Sequence, residues 1–313
     1  MGIENSKLLS IIIPSYNEET MIEKTFDTVK GIMEEALIPF EIIFVDDGSQ
    51  DATYHNITAL SENHPEVKGL SFSRNFGKES AIFAGLEASQ GACCVIMDCD
   101  LQHPPATIVE MYRLWEKGYE VVAGVKSYRG KESPLYTLCA SLFYGLISKA
   151  AGLDMKSASD FKLLDRRAVE ALLSMPERAP FFRALSSWIG FSSTAVPFEV
   201  QERTAGTSKW SMWSLIKYAI RNITSFSGAP MQFVTLMGWI MLIFSVVFAV
   251  QSLYHYFNGA ALEGFTTVIL LLLIIGSVLM ISLGIIGHYI SKIYEEIKGR
   301  PRYIIQKRCG YYP

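Results

Sequence analysis

The sequence predicts an α/β domain with a largely parallel sheet, followed by two helices that cross a membrane. Over residues 1 to about 200, short runs rich in Val, Ile and Phe alternate with longer stretches of helical character. This order of elements is typical of a mostly parallel sheet with helices on both faces. Beyond residue 221, two long stretches contain no Asp, Glu, Lys or Arg, which predicts membrane helices rather than a second globular domain.

The elements of the first domain follow one another regularly. Five apolar runs predict strands, at residues 8–14, 40–46, 67–73, 92–98 and 119–125. The segments between them have helical patterns, at residues 18–37, 51–63, 78–91 and 105–118. In sheets of this kind ligands bind at the carboxyl ends of the strands. The chemistry is therefore expected just after each strand.

Polar clusters follow three of the predicted strands. Taken singly, Asn17 and Asp51 are compatible with helix N-caps, and the segment "DDGS" (46–49) is compatible with a plain turn. Four carboxylates collected at one sheet edge are harder to explain in this way, because like charges repel unless a cation neutralises them. Hard oxygen ligands suit Mg²⁺ or Mn²⁺. The carboxylates in question are Asp46, Asp47, Asp98 and Asp100.

Each uncharged stretch is long enough to cross a bilayer. The first lies between Arg221 and Glu263 and the second between Glu263 and Lys292. A span needs about 20 apolar residues, and buried core helices rarely remain apolar on every face over such a length. The prediction is a hairpin of two transmembrane helices, at about 231–256 and 265–290.

The flanking charges predict the topology. Basic residues precede the first span and follow the second, whereas the linker at 255–264 has neither Lys nor Arg. By the positive-inside rule both termini are cytoplasmic. The five cysteines form no CxxC pair, which suits a reducing compartment. The predicted organisation is a cytoplasmic catalytic domain at 1–205, a juxtamembrane amphipathic helix at 206–228, the two spans at 229–292 and a basic cytoplasmic tail at 293–313.

Several segments together resemble a known family. They are "SIIIPSYNEE", "FVDDGSQD", "SRNFGKESAIFAGLEAS", "DCDLQHPP", "SDFKLLDR" and "ERTAGTSKWS". In this order they resemble the family 2 glycosyltransferases of the GT-A fold, which have a Rossmann-like sheet. More narrowly, the chain is similar to the bacterial polyprenyl-phosphate glycosyltransferases related to dolichol-phosphate mannose synthase. Cys99 stands where the family commonly has alanine or another small residue.

The resemblance implies a site for a nucleotide-sugar. Asp98 and Asp100 match the family's DxD motif, which holds Mg²⁺ or Mn²⁺ against the two phosphates, and Asp100 is thereby a catalytic candidate. Gln102 matches a residue that faces the sugar diphosphate. The positions implied to contact the base and ribose are Pro14, Tyr16, Asn17, Glu18, Asp46 and Asp47.

The resemblance also implies positions for the transferred sugar and the acceptor. Asp160 matches an acidic residue beside the sugar that is often proposed as the catalytic base; a role in positioning the sugar is equally open. Arg203, Ser208 and Lys209 match the motif held to grip the phosphate of the lipid acceptor.

The expected function is inverting transfer of a hexose, from UDP-glucose, to an undecaprenyl-type phosphate at the cytoplasmic leaflet of a bacterial inner membrane. The product would be a lipid-linked sugar monophosphate for envelope glycan modification. The alternatives are the same reaction with UDP-N-acetylglucosamine or GDP-mannose, or a non-catalytic protein that binds nucleotide-sugars at the membrane. A processive synthase is disfavoured because the chain lacks a QxxRW motif. A homo-oligomer is compatible with the resemblance; a nucleic-acid partner is not expected.

Overall fold

A computed structural model of the chain describes residues 7–126, 159–177, 180–199, 229–258 and 264–310. The predicted acceptor residues Arg203, Ser208 and Lys209 and the predicted amphipathic helix at 206–228 lie outside these ranges. The first domain alternates strands and helices as far as residue 126. These elements are β1 (Leu9–Ser15), α1 (Ile22–Glu35), β2 (Phe40–Asp46), α2 (Thr53–Asn63), β3 (Val67–Phe72), α3 (Lys78–Ala88), β4 (Cys93–Ile96), α4 (Ala106–Glu116) and β5 (Val121–Lys126).

The rest of the described chain adds seven elements. They are β6 (Lys162–Asp165), α5 (Arg166–Leu173), α6 (Phe182–Trp188), β7 (Ser193–Phe198), α7 (Ala229–Phe257), α8 (Phe265–Ile297) and β8 (Ile305–Cys309). The five predicted strands correspond to β1 to β5 within a few residues, whereas β6, β7 and β8 were not predicted as strands.

The described strands form one mixed sheet in the order β7-β5-β6-β4-β1-β2-β3-β8. β1 lies parallel to both β2 and β4, and β2 lies parallel to β3. β6 runs antiparallel between β4 and β5, and β8 runs antiparallel to β3. Ile11, Ile12 and Ile13 of β1 are fully buried, as expected for a central strand with helices on both faces. The carboxyl ends of β1, β2, β3 and β4 therefore meet at one edge.

The chain divides into two compact units. One comprises residues 1–210 together with 300–313, and the other comprises 211–299. The sheet belongs to the first unit, so part of the predicted basic tail joins the catalytic domain as an edge strand. Arg302 donates from Nε to the carbonyl of Glu177 at 2.8 Å, and the Tyr303 ring stacks on Phe72 with 5.0 Å between centroids.

The second unit contains the helices α7 and α8, which contact each other. Both predicted spans lie within these helices, and apolar side chains such as Phe233, Trp239 and Leu283 are exposed along them. Within the described residues, one helical stretch, Ile274–Ile297, is long and apolar enough to cross a membrane, and a second apolar stretch, Phe233–Phe248, is shorter.

Candidate active site

The loops after β1 and β2 are tied together by reciprocal hydrogen bonds. Asn17 adopts a left-handed conformation with φ of 54°, which Asn tolerates better than most residues. Its backbone N–H donates to Ser49 Oγ at 2.9 Å, and its Oδ1 accepts the N–H of Gln50 at 3.0 Å. The Glu18 N–H donates to Thr53 Oγ1 at 2.9 Å. The two loops therefore form one rigid rim, and the Asn17 side-chain oxygen serves this rim.

Asp46 is a buried residue that stabilises the turn after β2 and does not line the cleft at the sheet edge. It is 1% exposed. Its Oδ1 accepts the Ser49 N–H at 2.9 Å, and its Oδ2 accepts the Ser71 hydroxyl at 2.7 Å. These bonds join the turn after β2 to β3. Gly48 in the same turn has φ of 71°, and a Cβ there would lie 2.4 Å from the carbonyl carbon of Arg74, so the turn requires glycine.

Asp47 fixes the start of α3. Its carboxylate accepts the N–H groups of Phe76 at 2.6 Å and of Gly77 at 2.9 Å. Burial raises the pKa of this carboxyl, and the two backbone hydrogen bonds partly oppose that rise. Unlike Asp46, Asp47 also lines the cleft at the sheet edge. The first-strand loop and the DxD loop contribute to the same cleft. Its lining comprises Pro14, Ser15, Tyr16, Glu18, Asp47, Asn75, Gly77, Lys78, Ala81, Asp98, Cys99 and Asp100.

The DxD carboxylates lie in the loop that follows β4. The Asp98 N–H donates to Nδ1 of His103 at 3.3 Å, and the His103 ring stacks on Phe161 with 4.7 Å between centroids. Burial lowers the pKa of His103, which keeps Nδ1 able to accept. Asp100 Oδ1 accepts the Gln102 N–H at 3.1 Å. Leu101 between them has φ of 57°, a conformation that a leucine adopts only where its surroundings impose it.

Two cations hold Asp160. Arg183 makes a bidentate contact, with Nε at 2.6 Å from Oδ1 and a terminal nitrogen at 2.7 Å from Oδ2. The Lys78 ammonium lies 3.2 Å from Asp160 Oδ2 and 2.5 Å from Asp98 Oδ1. The structure thus forms a row of alternating charges, Arg183–Asp160–Lys78–Asp98, that leads from α6 into the cleft.

This row keeps Asp160 ionised. Burial alone would raise the pKa of its carboxyl, but Lys78 and Arg183 outweigh burial and hold that pKa well below its usual range. A carboxylate in this condition is a poor acceptor for a proton at neutral pH. Among the two roles left open for Asp160, the geometry favours positioning over general base catalysis. Asp98 follows the same pattern: burial alone would raise the pKa of its carboxyl, but Lys78 outweighs burial and holds that pKa below its ordinary value.

The pKa of Glu79 is shifted upward, opposite to those of Asp160 and Asp98. This shift predicts that the stability of the protein depends on pH. Its carboxylate accepts the Phe182 N–H at 2.8 Å. Burial, with Asp160 adding to it, raises the pKa of Glu79 from 4.5 to about 7. A raised folded-state pKa contributes stability that is fully present below the unfolded value and is lost as the pH rises through about 7.

Glu79→Gln keeps an acceptor for the Phe182 N–H and removes this titration. We expect the melting temperature of the variant to rise relative to the unsubstituted protein between about pH 5 and about pH 8. Thermal unfolding in detergent across this range measures it, with Glu110→Gln, an exposed change on α4, as the control. Parallel pH profiles for Glu79→Gln and the unsubstituted protein would contradict the assignment.

The DxD carboxylates fit a divalent cation that takes its other ligands from a bound molecule. Asp98 and Asp100 line the same cleft, and the Lys78 ammonium already contacts Asp98. Within the described ranges, no three His, Cys, Asp or Glu side chains are grouped as a metal-binding cluster. Mg²⁺ is commonly bound by one or two carboxylates with phosphates of the substrate. The residues therefore suit an ion whose coordination is completed by a diphosphate.

The structure sorts the predicted site residues into groups. Pro14, Tyr16, Glu18 and the carboxylates Asp47, Asp98 and Asp100 line the cleft. Asn17, Asp46, Gln102 and Asp160 are not among the lining residues, although Asp160 contacts the lining residue Lys78. The prediction missed Lys78 and Arg183. The segment "NFGKES" contains Lys78, and a lysine at the start of a helix that follows a strand end was the available signal.

The profile described as Glycosyl transferase family 2 matches residues 10–173. A putative glycosyltransferase of Bacillus subtilis, CsbB, is 40% identical over 302 residues, which cover 96% of this chain and 92% of that protein. The SfII prophage-derived bactoprenol glucosyl transferase of Shigella flexneri is 36% identical over 301 residues, which cover 96% of this chain and 97% of that protein.

Solved structures show the same fold at lower identity. Glucosyl-3-phosphoglycerate synthase from Mycobacterium tuberculosis, crystallised with Mn²⁺ and UDP-glucose, superimposes with a TM-score of 0.51 at 19% identity, covering 71% of this chain and 79% of that one. The predicted GT-A-like α/β architecture is confirmed, and the mostly parallel sheet is mixed because β6 and β8 run antiparallel to their neighbours.

Proposed function

Because the chain belongs to glycosyl transferase family 2 and is a glycosyltransferase, we propose that it transfers a hexose from a nucleotide-sugar to a polyisoprenyl phosphate. UDP-glucose is the proposed donor and an undecaprenyl-type phosphate the proposed acceptor. The observation that carries the proposal is the cleft at the sheet edge, where Asp47, Asp98 and Asp100 come together. Relatives named bactoprenol glucosyl transferase, aligned over almost the whole chain, support the choice of acceptor.

The proposed chemistry is a direct displacement. An oxygen of the acceptor phosphate forms a bond to the anomeric carbon while the bond from that carbon to the diphosphate breaks, so the configuration inverts and a nucleoside diphosphate leaves. The second pKa of a phosphate monoester is about 6. The acceptor is then mostly dianionic at neutral pH and needs no base. This agrees with an Asp160 that is held as a carboxylate by two cations.

Each part of the cleft has a role in this displacement. The rim built by the loops after β1 and β2 would hold the base and ribose, with Tyr16 exposed at its edge. Asp98 and Asp100 would hold Mg²⁺ or Mn²⁺, which when bound stabilises negative charge on the departing diphosphate. Asp160 would fix the cations Lys78 and Arg183 beside the sugar.

The acceptor is proposed to reach this cleft from a membrane. The helices α7 and α8 would form a two-span hairpin with both termini in the cytoplasm of a bacterium, as the flanking charges predict. Arg203, Ser208 and Lys209 would bind the phosphate of the lipid near the membrane surface. Such placement raises the effective concentration of the acceptor, because enzyme and lipid meet on one surface.

The test is an assay of membranes that contain the overexpressed protein. They are incubated with polyprenyl phosphate, Mn²⁺ and, in separate reactions, radiolabelled UDP-glucose, UDP-N-acetylglucosamine and GDP-mannose, and the lipids are extracted. We expect label from UDP-glucose in the lipid fraction, bound through a single phosphate, and none from membranes with the Asp98→Asn variant. Lipid-linked label from one of the other two donors would replace UDP-glucose as the proposed donor. Absence of lipid-linked label from all three would overturn the proposed acceptor reaction.

A further inference from the structure

The Lys78 ammonium pairs with one carboxylate oxygen of Asp98, a residue proposed to hold the metal ion. The ammonium nitrogen lies 2.5 Å from Asp98 Oδ1, and both residues line the cleft together with Asp100. Lys78 is 40% exposed and Asp98 32% exposed, so both side chains are accessible from the cleft. A carboxylate oxygen in such close contact with an ammonium group is not available to a second cation at the same position.

The backbone of Lys78 is fixed, whereas its side chain has two anionic partners. Gly77, the preceding residue, donates its N–H to Asp47, which anchors the start of α3. From this anchor the ammonium contacts Asp98 and, 3.2 Å away on the other side, Asp160 Oδ2. Asp160 is 8% exposed and is itself held by Arg183. Asp160 therefore remains a partner for Lys78 when the contact with Asp98 is broken.

We propose that Lys78 is a displaceable counter-ion of Asp98, which competes with the divalent cation and couples its binding to that of the diphosphate. This inference rests on the metal role of the proposed function. Without nucleotide, Lys78 neutralises Asp98 and weakens metal binding. When metal and diphosphate arrive together, the ammonium leaves Asp98, stays paired with Asp160, and gains the diphosphate as a new anionic partner. Lys78 is thus a positioning residue that makes metal binding conditional on the donor.

The coupling gives a quantitative expectation. Coupling between two ligands is reciprocal and is typically about 5–150-fold in affinity. In the unsubstituted protein, UDP should increase the affinity for Mn²⁺ strongly. In Lys78→Met, which keeps an unbranched side chain one atom shorter and removes the charge, Mn²⁺ should bind about tenfold tighter without UDP, and the increase caused by UDP should shrink by about the same factor.

The experiment measures Mn²⁺ binding to the purified full-length protein in detergent, from the electron paramagnetic resonance signal of free Mn²⁺, with and without UDP. The matched control is Lys30→Met, because Lys30 pairs with Glu66 and does not line the cleft. Lys78→Arg keeps the charge and should retain weak binding without UDP. Lys78→Gln provides the same readout if the Met variant does not fold.

The outcomes separate the inference from the proposed function. Tighter Mn²⁺ binding by Lys78→Met without UDP, with normal binding by Lys30→Met and Lys78→Arg, supports the inference. If Lys78→Met binds Mn²⁺ no tighter than the unsubstituted protein without UDP, the competition is overturned while the metal site stands. If the unsubstituted protein binds no Mn²⁺ even with UDP, the metal role of the proposed function is removed, and this inference with it.

Discussion

Replacing Asp98 or Asp100 with Asn is expected to abolish sugar transfer while leaving the protein folded. Both carboxylates lie in the loop beyond β4 and line the cleft, where the charge of the departing diphosphate must be stabilised. Losing one preorganised group of this kind costs about 10²–10³ in rate, and losing a metal ion should cost at least as much. The isosteric amide preserves shape and removes the negative charge that a divalent cation requires.

The measurement is transfer of labelled sugar into lipid, together with the thermal unfolding temperature of each variant. Asp27→Asn, an exposed carboxylate on α1, is the matched control and should keep full activity. Transfer at the normal rate by either cleft variant, or transfer that is insensitive to chelation of divalent metals, would show that the carboxylates do not act through a metal.

The sequence predicted the central strands well because their signal is local. β1 to β5 are short runs of Val, Ile and Phe bounded by polar residues, and burial on both faces requires such a composition. β6 and β8 lack this signal. β6 has four residues and includes Lys162, which is buried and donates to Ser186 Oγ at 2.7 Å. β8 reads "IQKRC", and only its pairing with β3, more than two hundred positions earlier in the chain, makes it a strand.

The candidate site likewise contains residues that the sequence could predict and residues that it could not. Strand ends place Asp47, Asp98 and Asp100 at one edge, and the prediction needed no more than the order of the strands. The partners of these groups depend on contacts between distant segments. Lys78 meets Asp160 across 82 positions of sequence, and no local pattern reports such a pairing. Asp46 and Asp47 are adjacent and both buried, yet they have different partners: Asp46 accepts the Ser71 hydroxyl, and Asp47 accepts the N–H groups of Phe76 and Gly77.

The edge strand β8 extends the catalytic domain to residues near the end of the sequence. The sequence predicted a catalytic domain that ends at residue 205, with residues 293–313 as a separate basic tail. In the structure, β8 covers the outer edge of β3, and Tyr303 stacks on Phe72 at the end of that strand. β3 in turn carries Ser71, which donates to Asp46, and it leads to the N–H groups that hold Asp47. The rim of the cleft is therefore supported from a segment that follows the two long helices.

Truncation after Gly299 is accordingly expected to eliminate UDP binding, although every residue predicted to contact the donor is retained. The change exposes the backbone edge of β3 and the ring of Phe72, and it removes the bonds from Arg302 to the carbonyls of Met175 and Glu177. Together these losses are large compared with the free energy of unfolding of a domain, which is about 5–15 kcal/mol. Truncation after Gly310 retains β8 and is the matched control, with normal UDP binding by calorimetry and normal cooperative unfolding. The protein ending at Phe226 should behave like the one ending at Gly299. Normal UDP affinity in either of these shorter proteins would show that β1 to β7 hold the cleft without β8.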